Sequence, residues 1–150
     1  MPENIIADTS CLVLLEKIGE LDILKKLYNT ITITPTVKDE YGGFIPAFVS
    51  VKKVKNKNYQ KLIGTRVDPG EASAIALAVE IHGLLVLDDL KARKLALELE
   101  LDYTGTFGVL VDATQSGYIH SFANVLKRVK QTNFHLSEDL ERRLLEMTGE

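Results

Sequence analysis

The amino-acid sequence predicts an α/β protein in which helices cover both faces of a parallel sheet. Short apolar runs without alternation occur at Ile5–Ala7 and Leu84–Leu87, as in strands that are buried on both faces. Segments with apolar residues at helical spacing separate such runs, so strands and helices alternate along the chain. Right-handed crossovers then bring the carboxyl ends of the strands to one edge of the sheet.

The first third of the chain contains strand, helix, strand and helix in that order. Apolar residues at helical spacing follow the first strand, and Gly19 divides them into two short helices. A second strand is expected at Ile31–Ile33. Thr34-Pro35 then starts a helix, with Thr as N-cap and Pro at the first helical position. That helix carries Glu40 and ends at Gly42-Gly43.

The middle of the chain has a weaker pattern before a very clear helix. An extended segment at Phe48–Val54 and a short helix at Asn58–Ile63 are expected. Asp68-Pro69-Gly70 is a turn, and a helix rich in small apolar residues follows at Glu71–Ile81. Gly83 ends this helix, in a position typical of a C-terminal glycine.

The second half of the chain continues the alternation. The expected elements are a helix at Leu90–Leu99, a strand at Leu101–Tyr103, an apolar helix that follows Thr104-Gly105-Thr106 and runs through Val111, a helix around Ser121–Val129 and a last helix capped at Ser137. The residues expected on the inner side of the last helix are Leu140, Leu144, Leu145 and Met147.

Length and composition indicate one domain over residues 1–150 and argue against a disulfide-rich protein, a membrane protein or a protein that is basic overall. A chain of 150 residues can bury roughly 68–70% of the surface of its unfolded form, which is enough for a proper core. The 18 basic and 21 acidic residues give a net charge of −3, so any nucleic-acid binding requires a local basic patch. The single cysteine, Cys11, offers no disulfide and is expected to be buried in a protein of a reducing compartment. Because no apolar stretch approaches the ~20 residues of a membrane span and no signal peptide is recognisable, a cytoplasmic protein without membrane association is expected.

Five acidic residues are expected at the same edge of the sheet. Three follow strands and two lie on helices that can reach that edge; they are Asp8, Glu40, Glu71, Asp88 and Asp89. Converging carboxylates repel each other unless cations lie between them. Oxygen ligands alone favour a hard ion such as Mg²⁺ or Mn²⁺. Two such ions roughly 3.5–4 Å apart would suit hydrolysis of a phosphodiester.

Each of these residues also has a purely structural explanation. Asp8, together with Thr9 and Ser10, can cap the first helix, and one of Asp88 and Asp89 can cap another. Glu71 at a helix start is favoured by the helix dipole. The remaining acid, Glu40, can be a solvated residue that pairs with a lysine. The prediction of a site therefore depends on the joint placement of the acids.

The chain resembles the PIN domain family, small α/β metal-dependent nucleases that include VapC-type toxins. The motifs that carry the resemblance cover nearly the whole chain, and their order and spacing are the specific signal. They are IIADTS, TPTVKDEYG, GEASAIALA, VLDDLKARKLA, TGTFGVL, GYIHSFANVLKRV and FHLSEDLERRLLEMTGE. The chain is most similar to a branch of short, stand-alone PIN proteins.

The resemblance implies a site, a fold and partners. The residues that match the four metal-binding acids of the family are Asp8, Glu40, Glu71 and Asp89, and a slip of one residue would exchange Asp89 for Asp88. Supporting polar positions are matched by Thr9 or Ser10 and by Thr106. Glu71 departs from the more frequent aspartate, which lengthens its reach by one methylene. The implied fold is three-layer α/β/α with a parallel sheet of four or five strands. The implied function is Mg²⁺- or Mn²⁺-dependent hydrolysis of RNA, commonly by a homodimer, with an antitoxin protein as partner if the chain is a toxin.

Candidate RNA contacts lie in two basic segments. The run from Lys52 to Arg66 carries six basic residues and no acid, and a second basic group follows the acids at Asp88 and Asp89. Such residues can bind a phosphate backbone, although a solvated surface explains each one equally well. The candidates are Arg93, Arg66 and Lys57, of which Arg93 is favoured because a helix that begins at Asp89 turns it back toward the acids.

Two other functions compete with the nuclease. A non-catalytic module would bind a cation weakly or act through a partner surface. A phosphoacceptor domain of the receiver type also has paired acids at a strand end, but it requires a lysine near the end of a late strand. Residues 101–106 contain no lysine, so this interpretation is weak.

Overall fold

Strand β1 (Ile5–Ala7) lies in the middle of a five-stranded, all-parallel sheet. The computed structural model describes residues 4–150. Along the sheet the strands follow the order β3-β2-β1-β4-β5. The other strands of the described residues are β2 (Ile31–Ile33), β3 (Val49–Val51), β4 (Leu84–Val86) and β5 (Tyr103–Thr104).

Helices cover both faces of this sheet and confirm the predicted α/β/α fold. The helices of residues 4–150 are α1 (Thr9–Lys17), α2 (Ile23–Tyr28), α3 (Pro35–Tyr41), α4 (Lys57–Ile63), α5 (Pro69–Ile81), α6 (Leu90–Glu98), α7 (Thr106–Gln115), α8 (Phe122–Lys130) and α9 (Glu138–Thr148). The division at Gly19 and the side-chain caps at Thr34 and Ser137 are confirmed. Thr34 accepts a hydrogen bond from the backbone N–H of Val37 at 3.1 Å.

The predicted last strand is present but begins two residues later than expected. A strand at Leu101–Tyr103 was expected, whereas β5 is Tyr103–Thr104. Leu101 instead completes the end of α6, because its N–H donates to the carbonyl of Ala96 at 2.9 Å. Glu100 adopts a left-handed conformation with φ of 58°, which turns the chain out of the helix before the strand can begin.

Two hydrophobic cores lie on the two faces of the sheet. Ile5 and Ala7 pack in one core with α1, α2, α7 and α8, whereas Ile6 packs in the other with α5 and α6. Cys11 is buried and forms no disulfide, as expected, and its burial raises the pKa of the thiol. No helix of the described range is long and apolar enough to cross a membrane.

The inner side of α9 was predicted only in part. Leu144 is buried and Leu145 packs against the first core, but Leu140 and Met147 are 36% and 58% exposed. Helices α7 and α8 contact α9. They leave part of its apolar face, at Leu140 and Met147, in solvent.

The strand order fixes where a binding crevice opens. From β1 the chain builds outward through β2 and β3, and then returns to the opposite side of β1 with β4 and β5. Such a reversal leaves a crevice at the carboxyl ends of the two strands that flank it. Asp8 follows β1 directly, and Asp88 comes two residues after the end of β4. Both carboxylates therefore lie at this crevice.

Candidate active site

Six carboxylates line one cleft at the carboxyl edge of the sheet. The cleft has a volume of about 560 Å³ and is lined by the acids Asp8, Glu40, Asp68, Glu71, Asp88 and Asp89. The fold thus brings together all five acids named from the sequence and adds Asp68. Thr9 and Ser10 line the same cleft.

Asp8 is the most deeply placed of these acids. Its residue is 6% exposed, and its Oδ1 atom is buried without a hydrogen-bond partner. Asp8 occupies the N-cap position of α1, but its side chain makes no capping hydrogen bond, so capping does not explain it. Burial, together with the charges of Asp68, Glu40 and Asp88, raises the pKa of Asp8 to about 7, against the lowering effect of a hydrogen bond from the backbone of Thr9.

Glu71 and Asp68 form a capping box at the start of α5. The N–H of Glu71 donates to Oδ1 of Asp68 at 2.8 Å, and the N–H of Asp68 donates to Oε1 of Glu71 at 3.1 Å. Burial, together with the charges of Asp68, Asp89 and Asp8, raises the pKa of Glu71 to about 7, against the lowering effect of the hydrogen bond from the backbone of Asp68. The helix start thus holds two carboxylates side by side in the cleft.

Glu40 reaches the cleft from the last turn of α3. Its Oε1 atom accepts a hydrogen bond from the hydroxyl of Thr9 at 2.8 Å, and it forms no ion pair with a lysine within residues 4–150. Gly70 makes room for this carboxylate, since a Cβ at residue 70 would overlap Oε1 and lie 2.8 Å from Cδ of Glu40. Gly70 therefore leaves room for the Glu40 carboxylate in its observed position.

A buried pair of hydroxyl groups joins α3 to α5 beneath these acids. Thr34 and Ser73 are 0% and 1% exposed, and their Oγ atoms are 2.6 Å apart. Ser73 donates to the carbonyl of Gly70 at 2.8 Å, so the shared proton comes from Thr34. Thr34 also accepts a hydrogen bond from the N–H of Val37, so both buried hydroxyl groups have hydrogen-bond partners. The pair fixes the helix that carries Glu40 against the helix that carries Glu71.

Asp88 is held by hydrogen bonds from two elements. Its Oδ2 atom accepts from the hydroxyls of Ser10 at 2.9 Å and Thr106 at 2.6 Å, and its Oδ1 atom accepts from the N–H of Thr106 at 2.8 Å. Asp89 instead caps α6 by accepting from the N–H of Ala92 at 3.0 Å. One acid of the pair is therefore the N-cap, as the sequence indicated. Both line the cleft, so the choice of metal ligand between them stays a prediction.

Arg93 lies beside Asp88, as its place in the first turn of α6 predicted. Its Nε donates to the carbonyl of Leu87 at 2.7 Å, and its guanidinium is 4.0 Å from Oδ1 of Asp88. The guanidinium also lies over the ring of Tyr103 at 5.6 Å. A Cβ at residue 105 would overlap this guanidinium, so Gly105 leaves the space that Arg93 occupies.

Comparison with protein families identifies this arrangement. The sequence model of a family described as a PIN domain matches residues 4–150. The chain belongs to the PIN domain family. No curated protein matches the sequence of this PIN domain. The family generally comprises nucleases, which act on nucleic acids and usually use divalent metal ions.

Two of the three candidate RNA contacts lie away from the acids of the PIN domain. Lys57 is the first residue of α4, and Arg66 follows that helix. Arg66 forms an exposed pair with Glu98, at 2.8 and 3.2 Å, and borders a surface hollow together with Lys91 and Lys94. Neither residue lines the acidic cleft.

Asp68 and Phe134 line the cleft but were missed from the sequence as site residues. Asp68 was taken as a turn residue, although Asp68-Pro69-Gly70-Glu71 also has the spacing of a capping box, which could have shown that the two acids are adjacent. Phe134 lies in the loop between α8 and α9 and reaches the cleft only through the tertiary fold. No local pattern marks it.

The chemistry of the cleft fits a hard divalent cation. Within residues 4–150, no three His, Cys, Asp or Glu side chains form a ready-made ligand group. The cleft nevertheless offers only oxygen donors among its polar side chains, and Oδ1 of Asp8 is buried there without a partner. A buried, unpaired carboxylate oxygen is costly unless it is protonated or meets a cation.

Proposed function

We propose that this PIN domain is an endoribonuclease that hydrolyses RNA phosphodiesters with Mg²⁺ or Mn²⁺. The observation that supports the proposal is the unpaired Oδ1 atom of Asp8, buried in a cleft with five other carboxylates. Capping does not use this atom, and repulsion between the acids makes the cleft unfavourable without cations. The proposed ligands are Asp8, Glu40, Glu71 and Asp88 or Asp89.

The polar residues around the acids have distinct proposed roles. When bound, the divalent ions supply an activated water and stabilise the leaving oxygen. Thr9 holds Glu40, while Ser10 and Thr106 hold Asp88, so the hydroxyl groups fix the orientation of the carboxylates. Arg93 keeps Nε on a backbone carbonyl, which leaves the outer guanidinium nitrogens next to Asp88 for a phosphate of the RNA.

The test is divalent-dependent cleavage of a mixed RNA pool by the wild type and by Asp8→Asn. The variant keeps the shape of the side chain and removes its charge, so cleavage should be lost. Asp112→Asn is the matched control, because burial also raises the pKa of Asp112 although it does not line the cleft. Wild-type cleavage that survives in Asp8→Asn would contradict the assignment of Asp8. Absence of cleavage by the wild type, with metal and RNA both bound, would favour a non-catalytic PIN module.

Three further features stay predictions, of which the first two follow from the resemblance to VapC-type proteins and the third from the composition of the sequence. They are a toxin role with an antitoxin partner, a homodimer and a cytoplasmic location. Sedimentation of the purified chain measures its oligomeric state, and a monomer at micromolar concentration would contradict the homodimer.

A further inference from the structure

The acidic cleft has an apolar wall that the metal chemistry does not use. Val13 of α1 and Phe134 of the loop between α8 and α9 line it together with the carboxylates. An aromatic ring cannot serve as a ligand for a hard cation, which takes oxygen ligands. The volume of about 560 Å³ lies within the range of small-molecule pockets and leaves space for more than metal ions.

The ring of Phe134 is fixed relative to the acids. It packs edge to face on Phe107, with ring centroids 5.8 Å apart and ring planes at 78°. Phe107 directly follows Thr106, whose N–H and hydroxyl both bind Asp88. The N–H of Phe134 donates to the hydroxyl of Thr132 at 3.1 Å, which holds the loop. Phe134 therefore presents a positioned, partly exposed aromatic surface beside the carboxylates.

A nucleobase is the partner that suits such a surface beside a phosphodiester site. Stacking of a base on an aromatic side chain is worth about 1–3 kcal/mol and is available to any base. In a duplex the faces of the bases are covered by their neighbours, so only an unpaired base can stack in this way. Tyr103, whose ring lies under the guanidinium of Arg93, does not line the cleft.

We propose that Phe134 stacks an unpaired nucleobase next to a phosphate in the acidic cleft. This inference rests on the proposed ribonuclease function. It adds to that function a binding site for a base. Because every base has a flat face, this site contributes affinity without selecting one sequence.

The first test compares two oligomers of equal length and charge. A labelled 2′-O-methyl hexa-adenylate and its abasic counterpart are titrated in Ca²⁺ onto the wild type, Phe134→Leu and Phe134→Tyr, with oligomer integrity checked on gels. Phe134→Leu should weaken hexa-adenylate binding about tenfold, within the range expected for one lost stack, and leave abasic binding unchanged. Phe134→Tyr should bind like the wild type. An equal loss for both oligomers, or no loss, would overturn the proposal.

A second measurement does not depend on the truncated variant. The chain contains no tryptophan, so Phe134→Trp introduces a single indole fluorophore at the proposed site. Hexa-adenylate should quench it, whereas the abasic oligomer and a blunt RNA duplex should not. Quenching by the duplex as strong as by the single strand would reject the proposal.

Cleavage of unmodified RNA by the wild type separates this inference from the proposed function. Base-dependent quenching without cleavage would leave the stacking site standing and reject the nuclease. Cleavage without base-dependent quenching would reject the stacking site alone.

Discussion

Asp8 is the residue at which the proposed function conflicts most with stability. The fold buries one oxygen of this side chain without a partner and surrounds it with other acids. In the absence of divalent ions, Asp8→Asn should therefore raise the melting temperature at pH 8. About 1 kcal/mol shifts the melting temperature of a chain of this length by roughly 2–4 °C, so a rise of a few degrees is expected. Thermal melts of both proteins in EDTA measure it.

The same two proteins should differ in how much stability they gain from added Mg²⁺. The wild type should gain stability, because an ion that binds only the folded state shifts the equilibrium toward it, whereas Asp8→Asn should gain little. Ile75→Ala provides the reference for real damage, since Ile75 is fully buried in the core. If Asp8→Asn lowered the melting temperature as much as Ile75→Ala, Asp8 would be a structural residue.

The raised pKa values of Asp8 and Glu71 predict how stability depends on pH. Folding raises the pKa of Asp8 from 3.8 to about 7 and that of Glu71 from 4.5 to about 7. Between about pH 4 and pH 7 the unfolded chain loses these protons while the folded chain keeps them, so the free energy of unfolding must fall as pH rises. Urea denaturation in EDTA at pH 5 and pH 8 should show greater stability at pH 5.

A double variant provides the control for this pH test, and the two acids with lowered pKa values affect stability only outside its pH range. Asp8→Asn combined with Glu71→Gln should flatten the dependence between pH 5 and pH 8. The lowered pKa values of Glu80 and Glu98 cost stability only as pH falls below about 4.5, outside this window. Equal or greater wild-type stability at pH 8 would show that the two carboxyl groups are not held in the buried, acidic environment described here.

Helix starts surround the cleft. Helices α1, α5, α6 and α7 are among those that begin at this edge, and their N-cap residues are Asp8, Asp68, Asp89 and Gly105. The positive end of a helix dipole stabilises nearby anions by about 0.3–1 kcal/mol, so these helix starts offset part of the repulsion between the carboxylates. The same arrangement suits the phosphate groups of a bound nucleic acid.

Contact between α3 and α5 predicts an unusual effect of Gly70→Ala. Alanine is favoured over glycine in helices by roughly 1 kcal/mol, and a new Cβ meets only the flexible end of Glu40. The variant should therefore unfold at the same urea concentration as the wild type, or a higher one. Displacing the Glu40 carboxylate should nevertheless weaken Mg²⁺ binding about as much as Glu40→Gln does.

Calorimetric titration of Mg²⁺ onto Gly70→Ala and Glu40→Gln measures this effect. Gly64→Ala is a suitable control, because Gly64 follows α4 and does not line the cleft. Full Mg²⁺ affinity in Gly70→Ala would show that Glu40 does not contribute to binding. A large loss of stability would instead show that the two helices cannot accommodate a small shift of Glu40.

The sequence predicted the fold from the alternation of strands and helices. It also predicted the grouping of the acids, because the strand ends of a parallel sheet meet at one edge, which the helices that carry Glu40 and Glu71 can reach. Predicting that Asp8 and Asp88 lie at this edge required only the positions of β1 and β4. Phe134 could not be predicted, since its place depends on how the loop between α8 and α9 packs on Phe107. The prediction that Leu140 and Met147 lie on the inner side of α9 was wrong for a related reason. Amphipathic spacing shows an apolar face but does not show how much of that face a neighbour covers.

The distribution of charge over the whole molecule predicts the salt dependence of RNA binding. Acids are gathered in the cleft, whereas Lys57 and Arg66 belong to a basic segment beside α4. The exposed pair between Arg66 and Glu98 stabilises little, so Arg66 can exchange Glu98 for a phosphate at small cost. Binding in Mg²⁺ should weaken with salt, and Lys57→Glu and Arg66→Glu should each reduce the slope by roughly 0.7 per lost phosphate contact on a single strand.

Lys26→Glu is the matched control for this measurement, because Lys26 is an exposed lysine on α2, which packs with the core on the other face of the sheet. It changes the net charge by the same amount as either test variant, so a purely global charge effect would alter all three slopes equally. Slopes that fall for Lys57→Glu and Arg66→Glu alone would locate the RNA backbone along α4. Unchanged slopes in both would leave Arg93, beside Asp88, as the basic contact to examine next.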